Sequence, residues 1–181
     1  ENFYRKSRNA VEVGKKEAPF GWIVPAKEKD QTRVAFLVNT LRLQGIEVSR
    51  TKDGFLIRRD QPYGRLAKSL LEKQTFPDPS LRTYDDTGWT MGLMTGVEVK
   101  EIGDKSILDA ETSPVTSAVV KGTVAGRGGA GVAIAHYGSN NMIALRYRLR
   151  HLTMSVAERR FTAEGIEQMR AVKRALDPDD V

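Results

Sequence analysis

One pattern of strands and helices occurs twice in the sequence and constrains the fold more than any single motif. In the first copy, the strand FGWIVPA (residues 20–26) leads into a polar loop, after which Asp30 is suited to cap a helix. Apolar residues then recur at the helical spacing i, i+3, i+4 and i+7: Val34, Leu37, Val38 and Leu41. Gly45 stands where a helix ends, and the strands IEVSR and GFLIRR follow. A second helix is expected to start near Pro62 and to bury three leucines: Leu66, Leu70 and Leu71.

The second copy begins with GVAIAHY (residues 131–137), which is again typical of a buried strand. Ser139 or Asn140 can cap a helix that carries three apolar residues: Met142, Leu145 and Leu149. LTMSVAERRF then predicts a strand and QMRAVKRAL an amphipathic helix. This alternation indicates an α/β fold with a mostly parallel sheet. The loops after Ala26 and His136 are then expected at the carboxyl ends of strands.

The domain organisation that follows is simple. Residues 1–18 are charged and predict a solvated lead-in from a preceding domain, and residues 19–181 predict a single α/β domain with two related halves, 19–76 and 117–181. A chain of 181 residues can bury a core of useful size. No apolar run approaches the 18 or so residues of a transmembrane helix.

A literal G-x-G-x-x-G motif occurs at Gly126, Gly128 and Gly131 and raises the possibility of a phosphate-binding loop. A dinucleotide loop must open directly into a helix and be followed by an acidic residue about 20 positions later. Here a short apolar run follows the glycines, and the later segment is rich in arginine with no carboxylate. The motif therefore predicts a β-hairpin turn added to the sheet.

The residue types also narrow the chemistry. The chain has no cysteine, which excludes disulfides, thiolate zinc sites and a cysteine nucleophile. His136 and His151 lack the spacing of a metal site, so no metal ligand and no catalytic residue is predicted. Asp85 and Asp86 could act as paired acids, but they are better explained as helix caps.

Several polar residues lie at the end of the predicted strand, from His136 onward. They form the candidate ligand site. Such a position can face a crevice beyond the end of a strand, although a structural histidine is the simpler explanation of His136. Ser139 and Asn140 are more simply explained as caps of the next helix. The candidate ligand-binding residues are His136, Ser139, Asn140 and Asn141.

The formal net charge of +6 invites a comparison with nucleic-acid-binding proteins. The basic residues are scattered, however, and most have acidic neighbours. Arg146, Arg148 and Arg150 alternate, so on a helix they spread around the axis and form no single stripe. A solvated basic surface explains this pattern better than a nucleic-acid module does.

Several segments together resemble one protein family. FYRKSRNAVEVGKKEAPFGWIVPA, LRLQGIEVSR, RRDQPYGRLAKSLLE, YDDTGWTMGLMTGVEV and AGVAIAHYGSNNMIALRYRL are similar, in this order, to the region after the catalytic domain of large bacterial zinc carboxypeptidases of the carboxypeptidase A type. In that family the region is a class I glutamine amidotransferase-like domain with a flavodoxin-like fold. The resemblance covers most of the chain, and RRDQPYGRLAKSLLE and YDDTGWTMGLMTGVEV are its most specific parts.

The resemblance implies an accessory role. Zinc is expected in the peptidase domain of the parent protein and not in this chain, because no H-x-x-E pair is present. Active amidotransferases use a cysteine, which is absent here, so glutaminase chemistry is excluded. The implied partners are the chain's own peptidase domain and a peptide or cell-envelope ligand, in the periplasm or outside the cell.

Two places depart from the family pattern. Relatives have a longer excursion between IEVSRT and GFLIRR, whereas only Lys52 and Asp53 intervene here, and the join near Glu167 is abrupt in the same way. Missing loops or a shortened relative would explain both.

Three functions remain open on the sequence. The leading hypothesis is a non-catalytic accessory domain of a zinc metallocarboxypeptidase-like protein. The alternatives are a stand-alone hydrolase with a site near His136 and a basic nucleic-acid-binding module.

Overall fold

A computed structural model gives the fold of residues 1–73, 75, 80, 88–123, 125–126, 129–134 and 140–155. The chain divides into two compact units, Glu1–Met142 and Ile143–Val181. In chain order the elements are α1 Asn2–Gly14, β1 Gly21–Pro25, α2 Gln31–Leu43, β2 Ser49–Arg50, β3 Gly54–Arg58, α3 Gly64–Leu71, α4 Met91–Thr95, β4 Lys100–Ile102, a 3₁₀ helix Lys105–Asp109, β5 Ser113–Pro114 and α5 Asn141–Arg148.

The strands form one five-stranded sheet in the order β4-β1-β3-β2-β5. Every neighbouring pair is antiparallel. The predicted flavodoxin-like, amidotransferase-like fold with a mostly parallel sheet is therefore wrong.

The short link between β2 and β3 explains the difference. The Thr51 amide donates to the Gly54 carbonyl at 2.9 Å, so the chain reverses within a few residues and β3 pairs with β2 as a hairpin. A parallel pair would need a crossover of a dozen or more residues. Because β3 also pairs antiparallel with β1, the strands β1 and β2 run in the same direction with β3 between them. Strand β1, helix α2 and strand β2 thus make a split β-α-β unit.

Helix α2 forms as the sequence predicts. The Asp30 carboxylate accepts hydrogen bonds from the backbone amides of Thr32 at 3.0 Å and Arg33 at 3.2 Å, which satisfies two free donors of the first turn. The buried residues of the helix are the four with helical spacing: Val34, Leu37, Val38 and Leu41. Gly45 follows with φ of +82°, as expected for a residue just beyond a helix.

The hydrophobic core lies between α2, α3 and one face of the sheet. Trp22 and Ile57 are partners across β1 and β3, and Val24 and Phe55 are the next pair on the same face. All four belong to the core cluster, to which α3 adds Ala67 and Leu71. Leu66 and Leu70 are half-buried against it, so the predicted apolar face of α3 is largely confirmed.

The segment before β4 holds a short helix of five residues. Helix α4 begins at Met91, and Trp89 precedes it. Leu93 and Met94 are exposed, whereas Gly92 is buried. Gly96 ends the helix with φ of +64°, and β4 follows.

The second copy of the predicted pattern contributes no strand among the residues that the structure describes. Residues 117–123 and 131–134 have no regular structure, and neither have residues 152–155. Helix α5 forms where Met142 and Leu145 predicted a helix. The rest of GVAIAHY, most of LTMSVAERRF and all of QMRAVKRAL lie outside the described residues.

Candidate functional site

The residues predicted to bind a ligand are not brought together in the described part of the chain. His136 and Ser139 lie outside it, as do Asp85 and Asp86. Asn140 occupies a turn, and Asn141 is the first residue of α5; both are exposed. His151 is exposed in the turn after α5. The prediction for these positions stays a prediction.

The glycine-rich segment lacks the flanking strands that a β-hairpin requires. Gly126 has φ of +118°, which fits a turn, while Gly128 lies outside the described residues. On either side, residues 117–123 and 129–134 form no strand. The hairpin predicted here is therefore wrong, because the turn residues are present without a pair of strands to join.

A junction built from residues 58–64 (RRDQPYG) connects β3 to α3 and is the most densely hydrogen-bonded polar region described. Gln61 is buried at its centre. Its side-chain oxygen accepts from the Glu47 amide at 2.7 Å, and its nitrogen donates to the carbonyls of Glu47 at 3.0 Å and Arg58 at 2.6 Å. Gln61 therefore ties the end of β3 to the segment that enters β2.

Arg59 ties the same junction to the segment after α1. Its side chain is 7 % exposed, and Nη1 donates to the carbonyls of Glu17 at 2.9 Å and Ala18 at 3.0 Å. Nη2 makes a long contact of 3.4 Å with the Glu17 carboxylate, which is 64 % exposed. The Nε donor is buried and has no hydrogen-bond partner in the described part of the chain. The buried guanidinium is therefore only partly compensated.

Two glycines allow the chain to approach Arg59 closely. A Cβ atom on Gly14 or on Gly64 would collide with the Arg59 backbone carbonyl. Both glycines are buried, one at the end of α1 and the other at the start of α3. Glycine at these positions therefore lets both helices pack against the junction.

Among the residues that the structure describes, three ionisable groups have displaced pKa values, and each has a structural role. The hydrogen bond from Arg58 to Asp60, at 2.8 Å from Nε, raises the pKa of Arg58 above its usual value. Burial raises the pKa of Asp30, but the hydrogen bonds from Thr32 and Arg33 outweigh it and hold the pKa below its usual value. The backbone hydrogen bond from Ser106 lowers the pKa of Asp104. These groups cap helices or form an ion pair, so their shifts indicate no acid–base chemistry.

An open cavity of about 570 Å³ lies beside the junction, between α1 and α3. Its lining combines three cationic side chains with one carboxylate, one hydroxyl and two apolar residues: Arg59, Arg65, Lys68, Glu17, Ser69, Val13 and Ala18. Arg65, Lys68 and Ser69 have the i, i+3, i+4 spacing that places them on one face of α3. We refer to this feature as the α1–α3 cavity.

The α1–α3 cavity was not predicted, although the sequence contains two features that belong to it. Arg58 and Arg59 stand at the end of the buried strand β3. A buried arginine such as Arg59 is unusual. Arg65 and Lys68 share a face of α3, but the sequence does not reveal that α1 packs beside that face.

The arginines of α5 and of the turn that follows it have local roles. The Arg150 guanidinium lies 4.9 Å from the centre of the Tyr147 ring and donates to the Tyr147 carbonyl at 3.0 Å. Arg146 and Arg148 lie in the last turn, where a positive charge stabilises a helix. These contacts explain the basic residues of this segment without a polyanionic ligand.

The residues in the described ranges contain no group of three or more His, Asp or Glu side chains that could hold a metal ion. Within the same ranges, no helix is long and apolar enough to cross a membrane. Comparisons of the chain with protein-family models, with curated proteins and with solved structures found no match.

Proposed function

We propose that this chain is a non-catalytic accessory domain of a bacterial zinc metallocarboxypeptidase-like protein, exported to the periplasm or beyond. In this role it supports the peptidase domain or binds a peptide or cell-envelope ligand. Zinc belongs to the peptidase domain of the parent protein.

The observation that carries the proposal is that the RRDQPYG junction holds neighbouring parts of the fold together. This segment belongs to RRDQPYGRLAKSLLE, one of the most specific parts of the resemblance to the carboxypeptidase family. Gln61 directs its hydrogen bonds to backbone groups, and so does Nη1 of Arg59. Gly64 is required for close packing. A distinctive segment that serves the fold in this way favours a supporting or binding domain over a reaction centre.

The proposal is tested by zinc content and carboxypeptidase activity, measured on this chain and on the longest protein that its gene encodes. Both proteins are dialysed against a chelator, reloaded with zinc and freed of excess metal. We expect the longer protein to retain about one zinc per molecule and to trim peptide C-termini, as a three-ligand catalytic site does. The 181-residue chain should retain no stoichiometric zinc and trim nothing.

His136→Ala in the longer protein is the matched control, because the alternative of a stand-alone hydrolase places the reaction near this residue. The accessory-domain proposal expects the variant to keep its activity. Zinc retained by the short chain, trimming by the short chain, or loss of activity in a folded His136→Ala variant would each contradict the proposal. A gene that encodes no zinc-ligand segment ahead of this domain would contradict it as well.

A further inference from the structure

We infer that the α1–α3 cavity is a binding site for an oxyanion, a carboxylate or phosphate group carried by a small ligand. The inference gives a ligand class to the binding role proposed above, and it rests on that role only in assuming that the ligand is bound without being converted. The cavity lies within the unit Glu1–Met142.

The lining of the cavity carries an excess of positive charge. Arg59, Arg65 and Lys68 contribute three positive charges, against one negative charge from Glu17. Lys68 is paired with Glu72 at 2.6 Å, but Glu72 does not line the cavity. The Arg65 side chain makes no hydrogen bond or ion pair with the described residues and is exposed at the cavity wall. The cavity therefore has an excess of positive charge and a cation that is available to a ligand.

The charge of Arg59 is poorly compensated within the described residues. A buried guanidinium is stable when its donors are all used and its charge is compensated. Here Nε has no partner within the described ranges, and the carboxylate that pairs with the guanidinium, at 3.4 Å, belongs to the largely exposed Glu17. An oxyanion at this position would supply the compensating charge that Glu17 provides poorly. Arginine is also the side chain whose planar donor fork matches carboxylate and phosphate oxygens.

The volume and the lining of the α1–α3 cavity fit a small ligand. A volume of about 570 Å³ is within the range of small-ligand sites, which extends from roughly 300 to 1,000 Å³. Val13 and Ala18 provide an apolar part, and the Ser69 hydroxyl is a further polar group, although it already donates to the Arg65 carbonyl at 3.2 Å. The lining thus fits a small molecule with one oxyanion and a compact apolar body.

The test is isothermal titration of the 181-residue chain with inorganic phosphate and, separately, with N-acetylglycine, at constant ionic strength. We expect at least one of the two to bind with a Kd on the order of 1 mM or tighter. Binding of phosphate alone identifies a phosphate ligand, and binding of N-acetylglycine alone identifies a carboxylate ligand; either result supports the site. Failure of both to bind would overturn the inference.

The charge-removing variant Arg65→Gln/Lys68→Gln locates the binding. We expect its affinity to fall at least about tenfold, because two charged donors are removed. The matched control is Lys52→Gln/Lys121→Gln, which removes the same charge at exposed positions outside the cavity lining and should bind like the unchanged protein. Equal affinities of the two double variants would show non-specific attraction and overturn the inference. If the cavity variant fails to fold, Arg65→Gln alone serves, since that side chain is exposed.

The readout is binding to the chain itself and involves no peptidase activity. A negative titration would therefore remove the oxyanion site and leave the accessory-domain proposal to be decided by zinc content.

Discussion

Gln61 satisfies backbone groups from two segments at once, and for this reason we expect it to contribute strongly to stability. Removing the buried Gln61 side chain in Gln61→Ala leaves the Glu47 amide and the carbonyls of Glu47 and Arg58 without their partner in a partly buried region. Unpaired buried polar groups are costly, so we expect the free energy of unfolding to fall by about 2 to 4 kcal/mol. Urea denaturation monitored by circular dichroism measures this change.

Gln44→Ala is the matched control for Gln61→Ala. Gln44 follows α2 and is exposed, so the same truncation should change the free energy of unfolding by less than about 0.5 kcal/mol. Similar losses in the two variants would contradict the structural role assigned to Gln61.

Asp30 links helix capping to pH. Its pKa is lower in the folded chain than in the unfolded chain. A depressed carboxyl pKa adds stability above the unfolded value of about 3.9, and this stability is lost as the pH falls through the folded pKa. We expect Asp30→Ala to lower the free energy of unfolding by about 1 kcal/mol at pH 7. The difference should shrink as the pH falls below about 4.

Asp30→Asn separates the charge of this residue from its capping geometry. Asparagine keeps an acceptor oxygen for the amides of Thr32 and Arg33 but does not titrate. We expect it to lose less stability than alanine and to show none of the pH dependence that Asp30 contributes. Unfolding midpoints of the three proteins between pH 3 and pH 7 measure this, since the unfolded pKa of Asp30 is about 3.9. Equal pH dependence of the unchanged protein and of Asp30→Asn would contradict a contribution from the charge of Asp30.

At the scale of elements, α2 holds the chain segment that follows β5. The Asn39 side chain donates to the Ala118 carbonyl at 2.9 Å and accepts from the Ala118 amide at 2.8 Å. We expect Asn39→Ala to speed hydrogen exchange at the Ala118 amide, because that amide loses its acceptor. The Val115 amide is an internal control, since it donates to the Val48 carbonyl at 2.9 Å and should keep its protection. Equal acceleration at both amides would indicate loss of the whole segment and contradict a local role.

Helix α2 and the strands beside it are the elements that the sequence predicted best. A capping aspartate, four apolar residues at helical spacing and a glycine after the last turn agree on the same helix, and the structure confirms each of them. Agreement between independent local signals is what makes such a prediction dependable.

The junction and the α1–α3 cavity could not be predicted in the same way. Gln61 forms hydrogen bonds with Glu47, and Arg59 forms hydrogen bonds with Glu17 and Ala18. Arg59 and Glu17 are 42 positions apart in the chain. No local spacing encodes such contacts. The resemblance to a family indicates that the segment RRDQPYG is distinctive, but it does not say which residues the segment contacts.

At the scale of the whole molecule, the pairing of the sheet was predicted wrongly although a deciding signal was present. The order strand, helix, strand suggests adjacent parallel strands. Comparison with the family suggests missing loops at the short link through Lys52 and Asp53, yet such a link is what an antiparallel hairpin requires. The hairpin places β3 between β1 and β2, and this position carries Arg59 to the ends of α1 and α3.

Cross-linking by paired cysteines tests this arrangement most directly, because the chain has no cysteine of its own. Ser49 and Leu56 are direct partners across β2 and β3, and Leu56 is also the partner of Ile23 in β1. Direct cross-strand partners lie about 4.5 to 5.5 Å apart at Cα, within reach of a disulfide, whereas residues two strands apart are separated by roughly 9 to 10 Å.

The measurement is the fraction of disulfide formed under mild oxidation in Ser49→Cys/Leu56→Cys and in Ser49→Cys/Ile23→Cys. The structure predicts a disulfide in the first variant and none in the second, because β3 separates β1 from β2. A disulfide in the second variant and none in the first would place β1 beside β2 and contradict the fold on which the junction and the cavity depend.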